Sequence, residues 1–214
     1  MPDIFLYGTL RHAALLDIVA GSPVSLTPAK LNGFATYWAR DAHFPLIQRE
    51  TGGVAQGLLL RDASEAIRAR LDFYERPFGY ALHEVEVEVE GARRPALVYL
   101  PDPNAPWVAA APFDLADWQA QWGEYSVIAA TEIMRLFGKI SDEELRHRFG
   151  VIGSRAQSLL RARELDRSPR IGSGLGAGDV DLIQTDYVHD GFFTLEQAQM
   201  RMHMRFLLTT RCSR

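Results

Sequence analysis

The sequence predicts an α+β fold, with strands in its first hundred residues and helices in the part that follows. Three observations point there. Segments 31–38, 54–60, 80–90 and 93–100 are rich in Val, Leu and aromatic residues and are separated by Gly, Pro or charged turns, as strands are. Segments 113–137 and 142–165 instead carry apolar residues at helical spacing. Pro101-Asp102-Pro103-Asn104-Ala105-Pro106 divides the two regimes, because closely spaced prolines interrupt strand ladders and helices alike. The chain has 214 residues, 47% of them hydrophobic, enough for one sizeable core and a second smaller unit. The expected organisation is a domain over residues 1–105, a helical extension packed on it over 106–166, and a linker with a short tail over 167–214.

The first element is the apolar strand Ile4-Phe5-Leu6-Tyr7. It runs through a Gly8-Thr9 turn into a helix expected over residues 11–19, which Gly21-Ser22-Pro23 stops. A helix starting after Leu10 opens with backbone N–H groups that have no partner within it, and these attract a carboxylate or a developing oxyanion. Gly8 lets a ligand approach the main chain, and the Thr9 hydroxyl adds a donor and an acceptor. Spacing alone also allows a plainer reading, a buried first strand with an ordinary turn.

The second informative segment is a helix expected over residues 63–74. Ile67 and Leu71 lie four apart on its apolar stripe, and Glu75 is the next member of that series. A core-facing carboxylate at a helix C-terminus loses hydration and meets the negative end of the helix dipole. Both effects favour the protonated form and make a stronger base. Pro77 and Gly79 end the helix. The competing reading has Glu75 swinging outward to pair with Arg76 or another cation. In the next strand, alternation over residues 84–90 puts Val85, Val87 and Val89 on one face and four carboxylates on the other. This is a solvated sheet face, because a flat row of one sign does not converge on an ion. Gly91-Ala92 is the expected hairpin turn after it.

Leu6-Tyr7-Gly8-Thr9-Leu10-Arg11, Leu71-Asp72-Phe73-Tyr74-Glu75, Tyr80 and Ala96-Leu97-Val98-Tyr99 together resemble the gamma-glutamyl cyclotransferase-like family, over the first half of the chain. The resemblance implies a small, mixed, barrel-like β-sheet with flanking helices and a cavity at one end. It implies an enzyme that releases 5-oxoproline from a gamma-glutamyl amine or peptide, with no metal and no cofactor and with Glu75 as the catalytic acid/base. Tyr7, Gly8, Thr9 and Leu10 then form the substrate cradle, and Pro45, Tyr80 and Tyr99 stand around it. The reaction suits these residues. The substrate α-amine must lose a proton to attack its own side-chain carbonyl and the leaving amine must gain one, so a single carboxylate can serve both steps. Closing a five-membered ring within one molecule makes orientation the main requirement. The alternative, from a different class, is a non-catalytic metabolite-binding or regulatory module. A third reading keeps the fold but fills its pocket with Trp38 or Phe44; the loop Ala42-His43-Phe44-Pro45 is expected to line the same hollow.

In the helical half, Ser141 and Glu144 have the spacing of a capping box. Trp118 and Trp122, four apart, read as anchors on the barrel. Arg146, His147, Arg148, Arg155, Arg161 and Arg163 read as a solvated face that could also meet a phosphate-bearing partner. Gly172-Ser173-Gly174-Leu175-Gly176-Ala177 matches a dinucleotide fingerprint by letters only, since no strand precedes it; a flexible tether is the expectation. Arg155-Ala156-Gln157-Ser158 with Gly191-Phe192-Phe193-Thr194-Leu195-Glu196 resembles the junction of fusion proteins in which a cyclotransferase-like domain precedes a Nudix ADP-ribose pyrophosphatase, some of them of tellurite-resistance type. The glutamate-bearing Nudix helix that collects magnesium is absent, which excludes that hydrolase activity here. The binding alternative above would then be a module of such a fusion.

Charge and composition exclude further classes. With 23 basic and 27 acidic residues the net charge is -4 and the pI about 5.9, so no general attraction to nucleic acid or an anionic membrane is expected. One cysteine, Cys212, cannot make an internal disulfide. With no leader-like or membrane-spanning run, the cytoplasm is the expected location. The six histidines lack ligand spacing and there is no nucleophile elbow, which leaves a small-molecule gamma-glutamyl substrate as the expected partner.

Overall fold

The computed structural model describes residues 1–104 and 107–167. Along them run β1 (Ile4–Leu6), α1 (Ala13–Ala20), β2 (Leu26–Ala39), β3 (Pro45–Leu60), α2 (Glu65–Glu75), β4 (Tyr80–Val89), β5 (Ala92–Pro101), β6 (Ala109–Pro112), α3 (Leu115–Trp118), α4 (Glu124–Met134) and α5 (Asp142–Arg167). β2 and β3 form a long antiparallel hairpin, registered from Leu26 against Leu60 to Trp38 against Pro45, with an irregularity between Asn32 and Phe34. β1 lies between β3, antiparallel with Ile4 opposite Leu60, and β5, parallel with Ile4 opposite Leu97. β4 pairs with β5 and reaches β2 through Lys30 and Glu88. The five strands close on themselves as a mixed barrel, and β6 extends the sheet from the far end of β2. The fold is α+β with a small closed barrel and flanking helices, the class expected from the sequence.

Closure explains the burial pattern. Successive side chains of a strand face opposite ways, so Phe5 joins Leu31, Ala55, Leu59 and Val98 in one cluster, while Ile4 and Leu6 join Leu15, Leu16, Leu71 and Ala130 in the other. A strand with apolar packing on both faces reads as an unbroken apolar run, which is how β1 appears in the sequence. β4 is the opposite case: Val87 and Val89 are buried, Val85 is packed against them, and Glu84, Glu86 and Glu90 are exposed.

Several boundaries differ from expectation, each for a local reason. A 3-10 turn over Thr9–Arg11 precedes α1, and extended His12 resets the chain so that the helix starts at Ala13 rather than residue 11. β2 and β3 are longer than their apolar stretches because hairpin pairing includes Pro28 and resumes beyond Gly33, Gly52 and Gly53, which fall in the register shift. The turn between β4 and β5 is Glu90-Gly91, both with positive φ (52° and 79°), not Gly91-Ala92. β6 escapes sequence reasoning because Ala-Ala-Ala-Pro has no strand preference of its own; it is held by β2, with Tyr37 opposite Pro112. Segment 113–137 divides into α3, a π-helical turn over Gln119–Gly123, and α4.

The helices share one core with the outer face of the barrel. Arg70 of α2 donates to the carbonyls of Ile18 and Val19, both at 2.8 Å, and so satisfies the open end of α1. α5 docks through buried Leu145, Phe149, Ile152 and Ala156. Four of its arginines are tied to the fold: Arg155 pairs with Glu132 at 3.0 Å, Arg163 and Arg167 with Glu124 at 3.5 and 2.8 Å, and Arg146 donates to the Pro77 carbonyl at 3.3 Å. Ser141 and Glu144 form the expected capping box: the Glu144 N–H donates to Ser141 Oγ (3.2 Å), and the Ser141 N–H donates to Glu144 Oε2 (2.8 Å). Ser141→Ala should therefore cost about 1 kcal/mol, read as a lower denaturant midpoint; an unchanged midpoint would show that α5 starts without help from this cap. No helix of the described residues is long and apolar enough to cross a membrane. The glycine-rich 172–177 stretch, the Nudix-like Gly191-Phe192-Phe193 segment and Cys212 lie outside the described residues.

Candidate active site

One cavity of about 120 Å³ opens where the end of β1 meets α2, the loop before β3, and the face of α4 and α5. Every site residue expected from the sequence lines it: Glu75, Tyr7, Gly8, Thr9, Leu10, Pro45, Tyr80 and Tyr99. Helical period delivers Glu75, the last residue of α2, one turn beyond fully buried Leu71. Pro77 and Gly79, the latter at φ 83°, then turn the chain sharply into β4 through a 3-10 turn. The Glu75 side chain is half-buried by exposed area, yet what it meets is the hollow rather than bulk water. Burial pushes its carboxyl up to about 8.

The outward reading of Glu75 does not hold, because Arg76 pairs with Asp72 instead, at 3.0 Å. The second oxygen of Asp72 accepts the Tyr99 hydroxyl at 2.8 Å, and Tyr80 donates to the Pro45 carbonyl at 3.1 Å. Both phenol protons are taken up in these bonds, which leaves the oxygens with acceptor lone pairs. Burial raises the phenols of Tyr7, Tyr80 and Tyr99, and the nearby Glu75 raises each further, so all three stay neutral. The result is an uncompensated carboxyl among neutral oxygens, a setting that suits an ammonium group.

The turn after β1 faces the same space. The Arg11 N–H donates to the Gly8 carbonyl at 3.1 Å, so the N–H groups of Thr9 and Leu10 precede the first bond of the 3-10 turn. Gly8 has φ −105° and ψ −141°, and a Cβ there would sit 3.0 Å from the Pro45 Cγ, so a side chain at this position would press on the proline ring. Pro45 belongs to a loop clamped by the helices. Trp118, 1% exposed, donates its indole N–H to the His43 carbonyl at 2.8 Å, and Trp122 stacks on the His43 ring at 3.5 Å. Trp118 thus packs on the barrel and also lines the cavity. Phe44 lines it without filling it, and Trp38 packs edge-on against Phe113 elsewhere. Sequence reasoning missed the remaining wall: Tyr74 and Phe78 beside Glu75, Tyr125, Ser126, Ala129 and Ile133 on α4, and Phe149 and Ile152 on α5. Their periodicity marks them as buried and carries no sign of what they face. Among the described residues, no group of three or more His, Cys, Asp or Glu gathers to hold a metal ion.

Comparison with known proteins finds one matching family and several similar solved structures. The model of the family "Gamma-glutamyl cyclotransferase, AIG2-like" matches residues 4–120. Similar solved structures include an Arabidopsis thaliana protein (18% identity, 83% of this chain and 95% of that one, TM-score 0.46). Two others are a gamma-glutamyl cyclotransferase (14%, 68% and 86%, TM-score 0.43) and a yeast gamma-glutamyl cyclotransferase specific to glutathione (16%, 68% and 94%, TM-score 0.39). No curated protein matches the chain. The family match ends at residue 120, and the Nudix resemblance of the tail is not supported.

Proposed function

The chain belongs to the gamma-glutamyl cyclotransferase, AIG2-like family, and from that premise we propose that it releases 5-oxoproline from a gamma-glutamyl amine or peptide, with Glu75 carrying the protons. The observation that carries this reading is the desolvated, unpaired Glu75 carboxyl in the same small hollow as the Gly8-Thr9-Leu10 turn that follows β1. The substrate ammonium sits against the Glu75 carboxylate and the lone pairs of Tyr80 and Tyr99. Glu75 takes one proton, which frees the amine to attack the side-chain carbonyl. The new carbon–nitrogen bond closes the five-membered ring, and the oxyanion or carboxylate charge of the substrate meets the Thr9 and Leu10 N–H groups. Glu75 passes its proton to the leaving nitrogen and relays a second from the ring nitrogen, so the old amide bond breaks and the amine departs as an ammonium. The bound folded conformer supplies the orientation.

The test is 5-oxoproline release, measured by mass spectrometry, from a panel of gamma-glutamyl amines, amino acids and peptides. Turnover of at least one compound is expected. Stabilisation by such compounds in a thermal-shift experiment without any 5-oxoproline would contradict the proposal and favour a binding module.

A further inference from the structure

We propose that the wall built by α4 and α5 is a subsite for an apolar leaving amine, so that the preferred substrates are gamma-glutamyl conjugates of aryl or branched alkyl amines rather than gamma-glutamyl peptides ending in a carboxylate. This rests on the cyclotransferase reading of Glu75 and concerns the half of the substrate that reading leaves open. The family match ends at residue 120, and the wall lies beyond it: Tyr125, Ala129, Ile133, Phe149 and Ile152 present apolar surface, with Ser126 the single aliphatic hydroxyl among them. Burying an aryl or alkyl group there removes apolar area from water on both partners.

Charge argues in the same direction. Among the described residues lining the cavity, Glu75 is the sole carboxylate and there is no lysine or arginine. His43 carries the one basic ring, and its face is stacked on Trp122. The arginines of α5 nearest the fold are engaged with Glu132, Glu124 and the Pro77 carbonyl. A leaving group with a carboxylate would be desolvated without a cation and would share the space with Glu75. A leaving amine with an apolar tail takes its protons from the attacking nitrogen through Glu75, and its tail rests on the wall.

The experiment compares initial rates of 5-oxoproline release from gamma-glutamylbenzylamine and gamma-glutamylisoamylamine with those from gamma-glutamylalanine and gamma-glutamylcysteinylglycine. The first pair should show kcat/KM at least about tenfold higher. Turnover with equal or reversed preference overturns the subsite and leaves the cyclotransferase reading standing; no 5-oxoproline from any compound overturns both. Ser126→Arg, checked for folding by its melting curve, places a cation on the wall and should move the benzylamine-to-alanine ratio by about tenfold toward the carboxylate-bearing compound. An unchanged ratio in the folded variant overturns the location. If the variant does not fold, the wild-type panel decides.

Discussion

Glu75→Gln is expected to lower 5-oxoproline release by about a thousandfold while making the folded protein more stable at alkaline pH. The two effects share one cause. Gln keeps the size of Glu and cannot exchange a proton, so the shuttle is lost with little change in packing. The stability effect follows from the proton balance. The Glu75 carboxyl, raised to about 8 by burial, holds its proton in the folded state where an unfolded chain has released it near 4.5. Folded protein therefore binds the extra proton between those values: the stabilising contribution is complete below 4.5 and is lost as pH rises through 8. Above pH 8 the fold carries a desolvated charge, a cost on the order of 3 kcal/mol after screening by water in the cavity, and Gln avoids it. Melting curves of the two proteins should nearly coincide at pH 5 and separate by several degrees at pH 9, with the variant higher. A variant of lower stability at pH 9, or one of undiminished activity, would contradict the role given to Glu75.

Gly57→Ala should be the most damaging single methyl group in the barrel. A Cβ at this position would lie 2.5 Å from the ring of Phe5 and 2.6 Å from the carbonyl oxygen of Leu6. Phe5 is 1% exposed, packed among Leu31, Leu59 and Val98, so its ring has nowhere to turn. The Leu6 carbonyl belongs to β1, which is pinned between β3 and β5. Overpacking against side chain and backbone together should cost about 2–4 kcal/mol, seen as a fall in the denaturant midpoint at unchanged slope. Phe5→Leu in the same background should recover part of that loss by withdrawing the ring and leave the part due to the carbonyl. A midpoint within error of wild type would show that β1 and β3 stand farther apart than described.

The residues legible in the sequence are those whose position is fixed by local geometry. Glu75 follows Ile67 and Leu71 at four-residue steps, and a helix converts that spacing directly into a direction. Ser141 and Glu144 needed only their spacing to form the capping box. Val87 and Val89 followed from the period of a strand. What the sequence hid depends on packing between distant elements. The Asp72 that occupies both Arg76 and Tyr99 leaves Glu75 without a cation, and nothing in the spacing of those residues announces that division. Trp118 was legible as buried, but its bond to the His43 carbonyl places it at the cavity as well. The wall from α4 and α5 has the same history: its stripe predicts burial, and only the folded chain shows that part of the buried surface faces a hollow.

The environment of one carboxyl group underlies the proposed chemistry, and a carbon-13 NMR titration of glutamate side-chain carboxyls observes it directly. The Glu75 resonance, assigned by its absence from the Glu75→Gln spectrum, should titrate with a midpoint near 8. A midpoint near the ordinary glutamate value of about 4.5 would place that carboxyl in bulk water and remove the basis for its part in proton transfer.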